Sequence, residues 1–146
     1  MIVLDASAVI EILLRPAHHP SLMNRVFDTG HTLAAPHLLD LEVTQVLRRY
    51  LAGREITTAR ADAAFADYND MRITRFPHIP LLGRIWALRH NCTAYDAAYL
   101  VLAETLNCPL LTCDTALTDM PSHRATVEVY LGLDIQKAKN IDPTIE

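Results

Sequence analysis

The sequence predicts an α/β protein in which a parallel sheet is covered by helices on both faces. Three observations predict it. Short apolar runs suited to strands alternate with segments of helical period over the whole chain. The run that opens this pattern, Ile2-Val3-Leu4, is apolar throughout, as a strand buried on both faces requires. Finally, the 146 residues are 51% hydrophobic and 21% charged, the make-up of one globular domain. A chain of this size can bury roughly two-thirds of its unfolded surface and needs no disulfide or structural metal.

Taken in order, Ile2-Val3-Leu4 is a buried strand that stops at Asp5, and residues 8–14 form a helix closed by Pro16 and Pro20. Residues 21–28 follow as a second helix with Ser21 as N-cap and Gly30 past its end. Residues 32–35 form a strand stopped by Pro36. Leu38–Ala52 keeps a helical period and ends at Gly53, with Arg48 and Arg49 in the final turns where the helix dipole favours cations. Thr57 or Thr58 caps a helix that runs to about Met71, and Ile73–Phe76 is a strand ended by Pro77. Residues 80–90 are helical in pattern, and residues 93–106 form a strong helix that stops at Asn107. The last strands are residues 110–113, ending at Asp114, and residues 126–130. The expected domain is therefore 1–133, with 134–146 as a tail.

Composition also excludes. The formal net charge is -4, from 17 acids against 13 bases, which argues against coating nucleic acid by bulk positive charge but leaves a nucleic-acid enzyme open. Of the bases only Lys137 and Lys139 are lysines, so the other eleven are arginines. Cys92, Cys108 and Cys113 are odd in number and lack paired spacing, which points to a reducing cytosol. Residues 2–4 reach Asp5 too soon for a signal peptide, and the apolar run 97–103 is far below the ~20 residues of a membrane span.

Ligands of open parallel sheets bind outside the carboxyl ends of the strands. Asp5 and Asp114 each follow a strand directly, which puts both at that rim, although each can also serve as an N-cap. Glu42 lies on or beside the apolar stripe of Leu39, Val43, Val46 and Leu47, where an ionised carboxylate needs compensation. Its alternative is a flanking glutamate paired with Arg49. Asp96 closes the capping-box pattern Thr93-Ala94-Tyr95-Asp96, a structural role, yet a helix N-terminus also faces the strand carboxyl ends. Four acids can thus share one rim. Such a cluster needs a cation to stay ionised, and all-oxygen donors select Mg²⁺ or Mn²⁺ over zinc. That chemistry suits phosphodiester hydrolysis. Ser7 and Thr112 can add hydroxyl contacts, or serve only in local turns.

Other site types find less support. Four glycines leave no phosphate-cradling Gly-rich loop, no Gly-x-Ser-x-Gly elbow is present, and the three cysteines form no Cys-x-x-Cys pair. Asp5-Ala6-Ser7 lacks the Asp-x-Asp of a phosphorylated-aspartate enzyme.

The start Met1-Ile2-Val3-Leu4-Asp5-Ala6-Ser7-Ala8, the acid of Leu41-Glu42-Val43 followed by Leu47-Arg48-Arg49, the segment from Thr93 through Asp96 to Glu104, and Leu110-Leu111-Thr112-Cys113-Asp114 together closely resemble a PIN domain. The length and the Thr-Ala-Tyr-Asp-Ala-Ala-Tyr segment resemble VapC-type toxins of bacterial toxin–antitoxin pairs. This resemblance spans nearly the whole chain. It implies a three-layer α/β/α sandwich with a mostly parallel central sheet and a Mg²⁺- or Mn²⁺-dependent endoribonuclease site on Asp5, Glu42, Asp96 and Asp114. It further implies an RNA substrate, a homodimer, and a VapB-like antitoxin that blocks the site. Arg48, Arg49, Arg84 and Arg89 are candidates to guide RNA, since guanidinium forks match phosphate geometry. The further acid that such proteins can carry has only Asp119 to match it here, so it stays outside the site. Two alternatives remain open: a PIN-like binding module without catalysis, and an RNA-processing nuclease without an antitoxin.

Overall fold

The computed structural model describes residues 1–28 and 30–133, so the tail expected at 134–146 lies outside the described residues. The strands are β1 (Ile2–Leu4), β2 (Leu33–Pro36), β3 (Ile73–Phe76), β4 (Leu110–Thr112) and β5 (Val127–Val129). All pair in parallel in the order β3-β2-β1-β4-β5, with Val3 in register with both Ala34 and Leu110. Parallel neighbours need crossovers, which as far as β4 the helices supply: α1 (Ala6–Leu14), α2 (Pro20–Phe27), α3 (Leu38–Ala52), α4 (Thr58–Asp70), α5 (Leu82–Ala87) and α6 (Ala94–Leu106); from β4 to β5 the chain crosses through a 3-10 turn at Thr115–Leu117. α1 to α4 pack on one another in one layer, and α5 with α6 makes the layer across the sheet. The expected three layers are present, and the sheet is wholly parallel.

The central strands are apolar because both their faces are covered. Val3, Leu4, Ala34, Ala35, Leu110 and Leu111 are all buried. α6 has no polar face for most of its length, as every residue from Ala97 to Ala103 is buried. That explains why its sequence reads as a continuous apolar run rather than a stripe. It ends where Asn107 turns left-handed at φ 49°, a conformation asparagine tolerates.

Two local expectations are corrected. Ser21 is not the cap of α2; the helix begins at Pro20, whose fixed φ suits the first helical position and whose missing N–H is no loss there. The helix expected over 80–90 is shorter, a 3-10 turn at Ile79–Leu81 leading into α5. Thr57 is the residue that caps α4, accepting from Arg60 N–H.

A polar cluster ties α3 to α4 and β3. The Tyr68 hydroxyl donates to Asp40, and Arg75 reaches the same carboxylate with Nε at 3.1 Å and Nη2 at 3.0 Å. Burial pushes the Asp40 carboxyl up, but these donors outweigh it and hold the group below its usual range. Because Asp40 sits in the first turn of α3, the cluster anchors the helix that carries Glu42.

Candidate active site

In the order β3-β2-β1-β4-β5 the chain winds outward from β1, then returns to place β4 on the other side of it. The crevice at the carboxyl ends of β1 and β4 is the switch point where such sheets bind ligands. Asp5 leaves β1 there and Asp114 leaves β4.

Asp5 is both cap and site residue. Its Oδ1 accepts from Ala8 N–H at 2.9 Å, which caps α1, and from the Ser7 hydroxyl at 2.8 Å. Its Oδ2 accepts from the Thr112 hydroxyl across the switch point. Ser7 and Thr112 also stitch the β4 turn, since Ser7 Oγ accepts from Cys113 N–H and Thr112 Oγ1 from Asp114 N–H, each at 2.9 Å. These hydroxyls therefore hold both rim aspartates, which is more than local turn bonding. Asp5 is only 5% exposed, and burial pushes its carboxyl from 3.8 to about 6 against the pull of its three donors.

Asp114 is exposed and accepts from Ala116 N–H at 2.9 Å while adding to the negative field on Asp5. Asp96 enters through α6, whose cap Thr93 accepts from Asp96 N–H at 3.1 Å. Only that half of the expected capping box forms among the described residues. The Asp96 carboxylate instead acts on Glu42 and Cys92, raising both. Glu42 is lifted from 4.5 to about 7 by burial first, then by the charges of Asp5 and Asp96. Its Oε1 is buried and without a partner, and Arg49 stacks on Tyr50 at 5.7 Å instead of pairing with it.

All four expected acids thus share one rim and feel one another electrostatically. Among the described residues no three His, Cys, Asp or Glu side chains already converge as a metal shell. Burial first, and the acidic neighbours next, drive two of the carboxyls toward protonation. Oxygen-only donors and clustered negative charge fit a hard divalent cation. Two cavities of about 600 Å³ open at the amino ends of the strands, around Leu33 with Arg72 and around Pro109 with Thr126, and contain none of these acids.

The arginines part company. Arg84, a candidate RNA guide, is committed elsewhere: it grips Glu104 through Nε at 3.0 Å and Nη2 at 3.1 Å and donates to Ser122 O. Arg89 lies over Trp86 at 4.8 Å. Arg48 is exposed. Sequence reasoning missed Tyr99, whose hydroxyl is buried beside Glu42 and has no hydrogen-bond partner.

Comparison with known proteins gives consistent matches. The PIN domain profile matches residues 2–122. Ribonuclease VapC9 of Mycobacterium tuberculosis is 36% identical over 129 residues, covering 88% of this chain and 98% of that protein. Ribonuclease VapC1 of the same organism is 39% identical over 120 residues, covering 82% and 90%. Among solved structures, VapBC2 from Rickettsia felis bound to a promoter DNA fragment aligns with a TM-score of 0.65 at 14% identity, covering 89% of this chain and 99% of that one. A Pyrobaculum aerophilum protein aligns with a TM-score of 0.59 at 21% identity, covering 86% and 87%. At such identities these two bear on the fold alone.

Proposed function

Because this chain belongs to the PIN-domain family and its relatives are VapC ribonucleases, we propose that it is a divalent-metal-dependent endoribonuclease, the toxin of a toxin–antitoxin pair. The observation that supports the reading is the gathering of Asp5, Glu42, Asp96 and Asp114 around the β1/β4 switch point, with Asp5 and Glu42 pushed toward protonation by burial first and by their acidic neighbours next. These four residues would hold Mg²⁺ or Mn²⁺. When bound, such a cation neutralises charge on the phosphoryl oxygens and makes an attacking water more acidic.

The chain's own groups do the rest. Ser7, Thr112 and the Ala8 N–H fix the Asp5 carboxylate in one orientation, so no side-chain freedom is lost when substrate arrives. Asp114 and Asp96 stand at the mouth, more exposed than Asp5, where an RNA phosphodiester can reach them. The domain that does this spans residues 1–133.

The test is to incubate the purified protein with total RNA, with and without EDTA, beside Asp96→Asn. Cleavage should need both the cation and the acid. Cleavage indifferent to both would leave the fold without this chemistry, as a binding module.

The partner reading is supported by the same relatives, which are VapC ribonucleases. The protein pairs with a VapB-like antitoxin, acts in the cytoplasm and forms a homodimer. No helix among the described residues is long and apolar enough to cross a membrane. Support for self-association comes from Ile79, Leu82 and Trp86, spaced on one face and 81%, 52% and 68% exposed. Trp86→Glu should convert a dimer to a monomer in light scattering. A wild-type monomer at micromolar concentration would remove the homodimer from the proposal.

A further inference from the structure

We infer that Tyr99 is a positioning residue of the carboxylate site, donating its phenolic hydrogen to Glu42 and so fixing which Glu42 oxygen is left for the rim; the inference rests on the nuclease reading above. Tyr99 follows Asp96 by three residues on α6, so the two side chains leave the same side of the helix one turn apart. Asp96 is at the mouth of the cluster, and Tyr99, 3% exposed, is beneath it.

Both the Tyr99 hydroxyl and Glu42 Oε1 are buried, and neither has a hydrogen-bond partner. Some nine in ten buried polar groups in folded proteins are partnered, so an orphaned donor and an orphaned acceptor on neighbouring side chains call for an explanation. The Tyr99 hydroxyl and the Glu42 carboxylate lie close enough that a side-chain interaction between them acts on both groups, lowering Glu42 and raising Tyr99. Other takers are accounted for. Asp5 is also within electrostatic range, but its oxygens already accept from Ser7, Ala8 and Thr112. The neighbouring Tyr68 hydroxyl is given to Asp40. Glu42 is the acceptor that remains.

A purely packing role does not explain the hydroxyl. Every residue from Ala97 to Ala103 is buried, and phenylalanine would fill the same space without the penalty of about 1–3 kcal/mol for a buried unpaired polar group. The hydroxyl becomes worth its cost when Glu42 is ionised, because a bond to a carboxylate is roughly twice as strong as one between neutral groups. One oxygen is then held from below and the other is presented toward Asp5 and Asp96, the arrangement by which outer partners orient metal-binding carboxylates.

Tyr99→Phe tests this, read in three ways: the melting temperature in EDTA, the Mn²⁺ concentration at the midpoint of the cation-induced rise in melting temperature, and kcat and KM on an RNA oligonucleotide. The variant should melt at or above wild type in EDTA. Its Mn²⁺ midpoint should rise and its kcat fall by about 10–100-fold, as for other outer partners of metal ligands, with KM within twofold. Tyr130→Phe, which removes a hydroxyl donated to Glu128 of β5, is the control, expected to lower the melting temperature and leave midpoint and kcat unchanged. A Tyr99→Phe protein with wild-type midpoint and kcat overturns the inference. Equal losses in both variants overturn it too, since they would report general loosening. If wild type itself shows neither an Mn²⁺-dependent melting shift nor cleavage, the nuclease reading has failed instead.

Discussion

Replacing Asp5 with asparagine should lower RNA cleavage at least about 100-fold and make the cation-free protein more stable. The first half follows from position. Asp5 is the buried carboxylate at the switch point, held by three donors, and even outer partners of metal ligands cost about 10–100-fold when removed. The second half follows from electrostatics. The group ionises at about 6 in the folded chain against 3.8 unperturbed, so at neutral pH its charge opposes folding by about 3 kcal/mol. Asparagine keeps the shape and loses the charge: its oxygen still accepts from Ala8 and Ser7, and its amide can donate to Thr112 Oγ1. Thermal melts in EDTA and a gel assay on RNA measure both halves. An Asp5→Asn protein that still cleaves RNA at the wild-type rate would remove the carboxylate from the chemistry. One that melts well below wild type would show that its charge is compensated in a way the structure does not contain.

The same residue shows what was legible beforehand. Asp5 and Asp114 could be read from sequence because each ends an apolar run, and a parallel sheet places strand ends at one rim. Glu42 could be read because an acid interrupts an apolar stripe. Asp96 was readable as a helix-start acid, though half of its expected cap does not form. What was hidden depends on contacts between distant segments. Thr112 and Ser7 are 105 residues apart, yet their hydroxyls lie 3.1 Å from each other, and each also binds the chain at the opposite strand end. Tyr99 was invisible for a different reason: in a helix buried all round, an aromatic residue reads as core, and only a facing Glu42 gives its hydroxyl meaning. Arg84 erred the other way, since a surface arginine in sequence proved to be clamped by Glu104, which it holds below the usual carboxylate range despite burial. The α2 start failed because Ser21 has the better capping chemistry while Pro20 has the better backbone.

Glu42→Gln carries the second large effect, and its sign should reverse with the cation. In the folded chain Glu42 ionises at about 7, against 4.5 unperturbed. Between those values the folded protein holds a proton that the unfolded chain has released, so stability falls as pH rises through this window. Below it the two states are equally protonated and the penalty is absent; above it the penalty is complete. Glutamine does not titrate. In EDTA the variant should therefore match wild type near pH 4.5 and exceed it above pH 7 by on the order of 1–2 kcal/mol, the full shift being reduced by partial solvent screening. That corresponds to roughly 3–8 °C in melting temperature. With Mg²⁺ at about 100 times its Kd the wild type gains about 2.7 kcal/mol, whereas a variant with one carboxylate fewer binds less and gains less. The two melting curves should then exchange order: glutamine above glutamate without cation, glutamate above glutamine with it. A stabiliser acting by packing alone would keep its advantage in both buffers. Only a carboxylate that repels its neighbours when alone and binds a cation with them produces the crossing. Curves that stay parallel would mean that Glu42 is buried beside the site without belonging to it.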